Sequence, residues 1–302
     1  MTEATVLIEG LASPEGPDVL EDGTVVFVET FKCRVSAWSP EGGLRSYAEV
    51  GGAPTACMAG LDGLYVAQTG LTAGPWRSPQ PVTPSIQRVT ADGSVETLVT
   101  SAGGEPLVGP NDLTFGPDGR LYFTDPGVFD PDHPDPGRIC VVDPDGEATI
   151  LEEVGPSFPN GIVAERDGSI VWDESFTRRV RRRRPDGSIE LLATLPEDRI
   201  LDGMKVAADG NLYVTGVTSG GIDVLTPAGE PVRFIETGGA PLNCVFDGEA
   251  LYVADFGEFS PEAERGEIAA GRLTRVPAGV AGQPLFRGAI GAPSPASKGE
   301  AR

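Results

Sequence analysis

The chain has 302 residues, and its 41 Gly and 28 Pro are spread along it, a density of turn formers that excludes a helical bundle. Its 39% hydrophobic residues supply the apolar surface for a sizeable core. A formal net charge of −22, from 45 acidic against 23 basic residues, repels phosphate backbones and anionic bilayers, so neither nucleic acid nor a membrane is an expected partner.

The opening MTEATVLIEG lacks the basic start and apolar core of a secretion signal, and no run of about 18 apolar residues could span a bilayer. The expectation is a cytoplasmic protein. Cys33, Cys57, Cys140 and Cys244 are widely spaced without a C-x-x-C pair and read as reduced, buried small residues.

Taken in chain order, one unit recurs: an anchor residue, usually Pro, then an apolar strand, a turn centred on D-G, and an aromatic-aliphatic strand. Its copies are PEGPDVLEDGTVVFVE (14–29), PTACMAGLDGLYVAQ (54–68), PNDLTFGPDGRLYFTD (110–125), PNGIVAERDGSIVWD (159–173), LDGMKVAADGNLYVTG (201–216) and PLNCVFDGEALYVAD (241–255). The anchors Pro14, Pro54, Pro110, Pro159, Leu201 and Pro241 are 40, 56, 49, 42 and 40 residues apart. Most units carry a second hairpin, as in GRICVVDPDGEATILEE (137–153), so each supplies four short strands. Six such units predict an all-β, six-bladed β-propeller with four-stranded antiparallel blades. The N-terminal ATVLIEG precedes the first inner strand and is expected to close the ring as the outer strand of blade 6. Residues 1–288 form this single domain, and 289–302 are expected to be a flexible tail.

A propeller brings the starts of all inner strands to one mouth, together with the loops between second and third strands. The longest of these loops are 69–85, 126–137 and 256–271. They are expected to shape a pocket over the channel, with Trp76, Phe129, Phe256 and Phe259 as apolar walls. The residues that follow the anchors are Glu15, Thr55, Asn111, Asn160, Asp202 and Leu242. Inward carboxylates at such a position lose solvent and repel one another, and no Lys or Arg stands at an equivalent place. A divalent cation held by two carboxylates and amide oxygens is the natural neutraliser, calcium first, with magnesium, manganese or zinc as alternatives. Zinc is the least favoured of these, because the chain has one His and no paired cysteines.

With P-E-G-P at 14–17, P-N-D-L at 110–113, P-N-G-I at 159–162 and L-D-G-M at 201–204, the chain resembles the SMP-30/gluconolactonase/luciferin-regenerating-enzyme-like propellers over most of residues 5–288. That family consists of metal-dependent lactone hydrolases. The resemblance implies Glu15, Asn160 and Asp202 as metal ligands, Asp202 as the group that orients or deprotonates water, and Asn111 as a contact of metal or substrate. Two positions depart from it: Gly109 stands where many members carry Arg before P-N-D, and Asp18 and Val19 follow Pro17 where an aromatic is usual. The expected reaction is hydrolysis of a small-molecule lactone, either a sugar lactone or a less hydroxylated one. The alternatives are a strictosidine-synthase-like or other non-hydrolytic enzyme, or a non-catalytic binding propeller.

Asp112 and His133 are further candidate substrate contacts, although an Asp at a strand start ordinarily caps amides and a lone loop His is ordinarily solvated. Asp125, Asp173 and Asp255 read as turn-forming residues at equivalent strand ends. The arginines at 178, 179 and 181–184 read as a solvated blade rim with acidic partners. A serine hydrolase is argued against by the absence of a G-x-S-x-G elbow and of a second histidine.

Overall fold

The computed structural model describes residues 4–291. Among them, six four-stranded antiparallel sheets form the blades of the expected propeller. The inner strands are Pro14–Val19, Pro54–Ala59, Leu113–Phe115, Pro159–Ala164, Leu201–Val206 and Pro241–Asp247. Each blade then runs outward in chain order, except that blade 6 takes its outer strand from the N-terminus. There Thr5–Leu11 pairs with Gly271–Pro277, from Thr5 opposite Arg275 to Leu11 opposite Gly271. This closure leaves the sixth sheet without an open third strand.

The turns form for a local reason. In x-D-G-x the Asp carboxylate accepts the backbone N–H two residues on while the Gly takes a left-handed conformation, as at Asp167 (Ser169 N to Oδ1, 2.9 Å) and Gly168 (φ +87°). The same bond recurs at Asp22, Asp92, Asp118, Asp145, Asp186 and Asp209. Between turns, the second strands are buried over their whole length, and apolar clusters fill the spaces between blades, one of them centred on Tyr65, Phe115 and Phe123.

Hydroxyl groups fasten neighbouring blades near the mouth. Thr30 donates to Pro54 O (2.8 Å), Thr55 to Asn111 O (2.8 Å), Thr124 to Asn160 O (2.9 Å), Ser175 to Leu201 O (2.6 Å) and Thr215 to Leu242 O (2.8 Å). Five blade junctions in succession, from 1–2 to 5–6, thus carry the same side-chain-to-backbone clasp. Each gives a backbone carbonyl of the next blade a side-chain donor.

The opposite face is crossed by residues 282–291. Gln283 donates to Ala164 O (2.9 Å) in blade 4, Arg287 pairs with Asp18 of blade 1, and Ile290 N donates to the Tyr65 hydroxyl (2.7 Å) in blade 2. Of the expected tail, Ala289–Gly291 belong to this strap and Ile290 is buried, while 292–302 lie outside the described residues. All four cysteines are free and buried. Among the described residues no helix is long and apolar enough to cross a membrane. In the arginine run, Arg181 pairs with Glu174 (2.7 Å), Arg182 with Glu165 (2.6 Å) and Glu190 (2.9 Å), and Arg184 with Glu190 (2.7 Å).

Candidate active site

Glu15, Asp202 and Asn160 enter the channel because their strands are irregular at those points. Strand pairing slips between Glu15 and Asp18, between Pro159 and Ile162, and between Leu201 and Met204. Such bulges re-aim side chains and recur beside functional sites. The inner strands also approach closely: a Cβ on Gly161 would fall on the backbone oxygen of Asp202, so only Gly lets blades 4 and 5 bring Asn160 and Asp202 together. Ser13 and Phe158, which precede Pro14 and Pro159, both hold φ at +54°, a costly conformation for residues with side chains.

Glu15, Asn111, Asn160 and Asp202 line one cavity of about 380 Å³ at the mouth. Burial pushes the Glu15 carboxyl up to about 8; the Gly16 N–H opposes this and the nearby Asp112 charge reinforces it. Burial likewise holds the Asp202 carboxyl well above the ordinary carboxylate range, with the charges of Glu15, Asp173 and Asp112 adding to it and Asn160 opposing. Two buried carboxyl groups in one cavity, with the Glu15 charge raising Asp202, leave a local deficit of positive charge.

Asn160 supplies the complementary observation. Its Nδ2 donates to Ser175 Oγ (3.2 Å), whereas its Oδ1 is buried with no hydrogen-bond partner. An orphaned carboxamide oxygen beside two acids, on a wall without Lys, Arg or His, fits a hard divalent cation. The described residues form no group of three or more His, Cys, Asp and Glu suited to a metal. The donor set here is of another kind, two carboxylates joined by amide oxygens. It offers no nitrogen or sulfur of the sort zinc sites use.

The other expected site residues are distributed unevenly. Asn111 lines the cavity, and its backbone is fixed by Thr55 and Thr124 while its carboxamide stays available. Phe129 also lines it, in an aromatic group with Phe158 (5.0 Å between centroids) and Phe176 (5.3 Å). Trp76 stands behind the wall, stacked on Phe31 at 4.8 Å, and it is Phe31 that faces the cavity. His133 is 86% exposed beside Asp130, away from the cavity wall. Asp112 turns down the channel, accepting from Leu113 N (2.8 Å) and Asn243 Nδ2 (3.2 Å), so it is a buried support and not a wall residue.

Sequence reasoning missed a second polar tier below the first. Lys205 donates to Asn243 Oδ1 (3.2 Å), and Asn243 in turn donates to Asp112. The bulge in 201–206 turns Lys205 inward, and the one signal available was a lone Lys between the apolar Met204 and Val206. Asp173, expected in a turn, is instead buried beneath the site. Its Oδ1 accepts from Gly161 N (3.2 Å) and its Oδ2 has no partner. The strand-end position of Asp125 and Asp255 is occupied in blade 4 by Glu174, and aligning the blades on Glu29 would have revealed this. Asp125 and Asp255 do organise backbone, accepting from Gly109 N (2.7 Å) and Ala240 N (3.0 Å) respectively.

Comparison with known proteins matches residues 13–255 to the family model described as SMP-30/Gluconolactonase/LRE-like region. A gluconolactonase of Zymomonas mobilis is 27% identical over 299 residues, covering 84% of this chain and 79% of that protein. Among solved structures, a luciferin-regenerating enzyme superposes with a TM-score of 0.78 at 17% identity, covering 95% of this chain and 99% of the other. Regucalcin of Agrobacterium tumefaciens, described as a calcium-binding protein, gives 0.75 at 17% identity, with 95% and 97% covered.

Proposed function

The chain belongs to the SMP-30/Gluconolactonase/LRE-like family, and on that premise we propose that it hydrolyses a small-molecule lactone with one divalent cation held by Glu15, Asn160 and Asp202. The observation that carries the reading is the unpartnered Asn160 Oδ1 sharing a cavity with two buried acids. The similarity to a gluconolactonase supports the lactone, and the similarity to regucalcin, a calcium-binding protein, supports calcium as the first ion to test.

A bound divalent cation supplies Lewis-acid polarisation of the carbonyl and stabilises the charge that develops on its oxygen. The chain supplies the rest. Glu15 and Asn160 hold the ion, with Asn160 kept in its orientation by Ser175. Asp202, ionised once its acidic neighbour is neutralised, accepts a proton from the attacking water and returns it to the departing ring oxygen. Asn111, on the same wall, offers its carboxamide to the substrate. The cavity floor confines the ester group beside these residues and so fixes the approach of water.

The test is dialysis against a chelator, calcium restoration, and assay on a panel of γ- and δ-lactones. Restored turnover that Asp202→Asn lowers by about 100-fold or more is expected. Undiminished turnover after chelation, or none of any lactone in the calcium-loaded protein, would overturn the reading.

A further inference from the structure

We propose that the preferred substrate is a neutral lactone bearing an apolar alkyl or aryl substituent, not a polyhydroxylated or anionic one; this rests on the lactonase reading above. The charged side chains on the cavity wall are Glu15, Asp202 and Glu264, all acidic. With the net charge of −22, they disfavour substrates that carry carboxylate or phosphate.

The wall offers a polyol few free donors, chiefly the Asn111 carboxamide and the hydroxyls of Ser13 and Thr72. The hydroxyls of Thr30, Thr55, Thr69 and Thr218 all donate to backbone oxygens, at 2.8, 2.8, 2.7 and 2.6 Å. A sugar hydroxyl buried against them can donate to their oxygens but receives no hydrogen bond from them in place of the water it loses.

Position 109 cannot supply the missing donor. Gly109 N donates to Asp125 at 2.7 Å, and a Cβ there would come within 2.5 Å of Gly127 O, so the backbone leaves no room for any side chain. Where an arginine would reach in, the wall is bare peptide.

What the mouth does offer is apolar surface that water covers at a cost. Val108, Val128, Phe129 and Phe259 line it while 46, 47, 38 and 46% exposed. Phe129 comes from blade 3 and Phe259 from blade 6, on opposite sides of a six-membered ring. Phe259 stacks on Phe256 (4.8 Å) and Phe129 packs on Phe158, so both rings are backed by other aromatics. A substituent rising from a lactone ring at Asn160 and Asp202 passes between them and buries both.

The experiment measures kcat/KM of the calcium-loaded full chain on γ-lactones with substituents from methyl to hexyl, and on D-glucono-δ-lactone. In parallel, calorimetry measures binding of the matching non-hydrolysable γ-lactams to metal-free protein. Both kcat/KM and lactam affinity are expected to rise about threefold per methylene, a little under the full transfer value for one CH₂. The longest lactone should exceed gluconolactone at least tenfold. Phe129→Ser and Phe259→Ser are expected to flatten the slope in both measurements. Preference for gluconolactone with no dependence on chain length overturns the inference and leaves the lactonase reading standing. Lactam affinity that rises with chain length while no lactone is hydrolysed removes the hydrolase reading and keeps the apolar pocket.

Discussion

Ser175 Oγ accepts from Asn160 Nδ2 at 3.2 Å and donates to Leu201 O at 2.6 Å, so one hydroxyl sets the amide of blade 4 and ties it to blade 5. The amide nitrogen is thereby committed, and Oδ1 is left without a hydrogen-bond partner, as the proposed cation ligand requires. Ser175→Ala frees the amide to rotate and is expected to weaken calcium binding about tenfold, whereas Ser175→Thr keeps it. Titration calorimetry on the two variants checks this.

The acid pair predicts an inverted pH dependence in metal-free protein. Glu15 titrates near 8 in the folded chain and in the ordinary carboxylate range when unfolded, so the folded state binds the extra proton between those values. Its contribution to stability therefore falls as pH rises from about 5 to 8. Chelated protein should melt several degrees lower at pH 8 than this site allows at pH 5. Glu15→Gln should remove that part of the slope, and saturating calcium should reverse it. Differential scanning calorimetry across the range is the measurement.

Restoring an arginine before Pro110 should fail. Gly109→Arg forces Gly127 and its loop away and is expected to cost about 1–3 kcal/mol in urea unfolding, without conferring turnover of gluconolactone. Gain of that activity with unchanged stability would refute the steric argument.

The strap beneath the channel predicts a different loss. Arg287 bonds Asp18 and also Ala59 O (2.8 Å), joining blades 1 and 2 to the C-terminal segment. Arg287→Ala leaves the buried Asp18 with the Val19 and Ala59 N–H groups but without its cation, and should cost about 3 kcal/mol. The paired change with Asp18→Asn should recover most of it. Calcium affinity should stay as it was, because the strap lies at the face away from Glu15.

A single clasp should be worth less. Thr124→Val removes the hydroxyl that reaches Asn160 O (2.9 Å) and is expected to destabilise by about 1 kcal/mol. A loss in calcium affinity beyond a few-fold would mean that this clasp also positions Asn160.

The repeat, the six blades and closure by the N-terminal strand were legible in the sequence because each rests on local chemistry. Asp-Gly turns impose their own geometry, and a period near 40 to 50 residues admits few packings. Glu15, Asn160 and Asp202 were legible as a phase within that period, and the structure brings them to one cavity. Facing was another matter. A slip of one residue sends every later side chain to the other side of a strand, and the bulges that do this at 15–18, 159–162 and 201–204 depend on how neighbouring blades meet. That is why Lys205 lies inside the channel; the burial of Asp173, the downward turn of Asp112 and the place of Phe31 before Trp76 are set by contacts between separate blades and loops. The closed side of Gly109 likewise follows from a contact with Gly127, a residue 18 positions away that no local pattern connects to it.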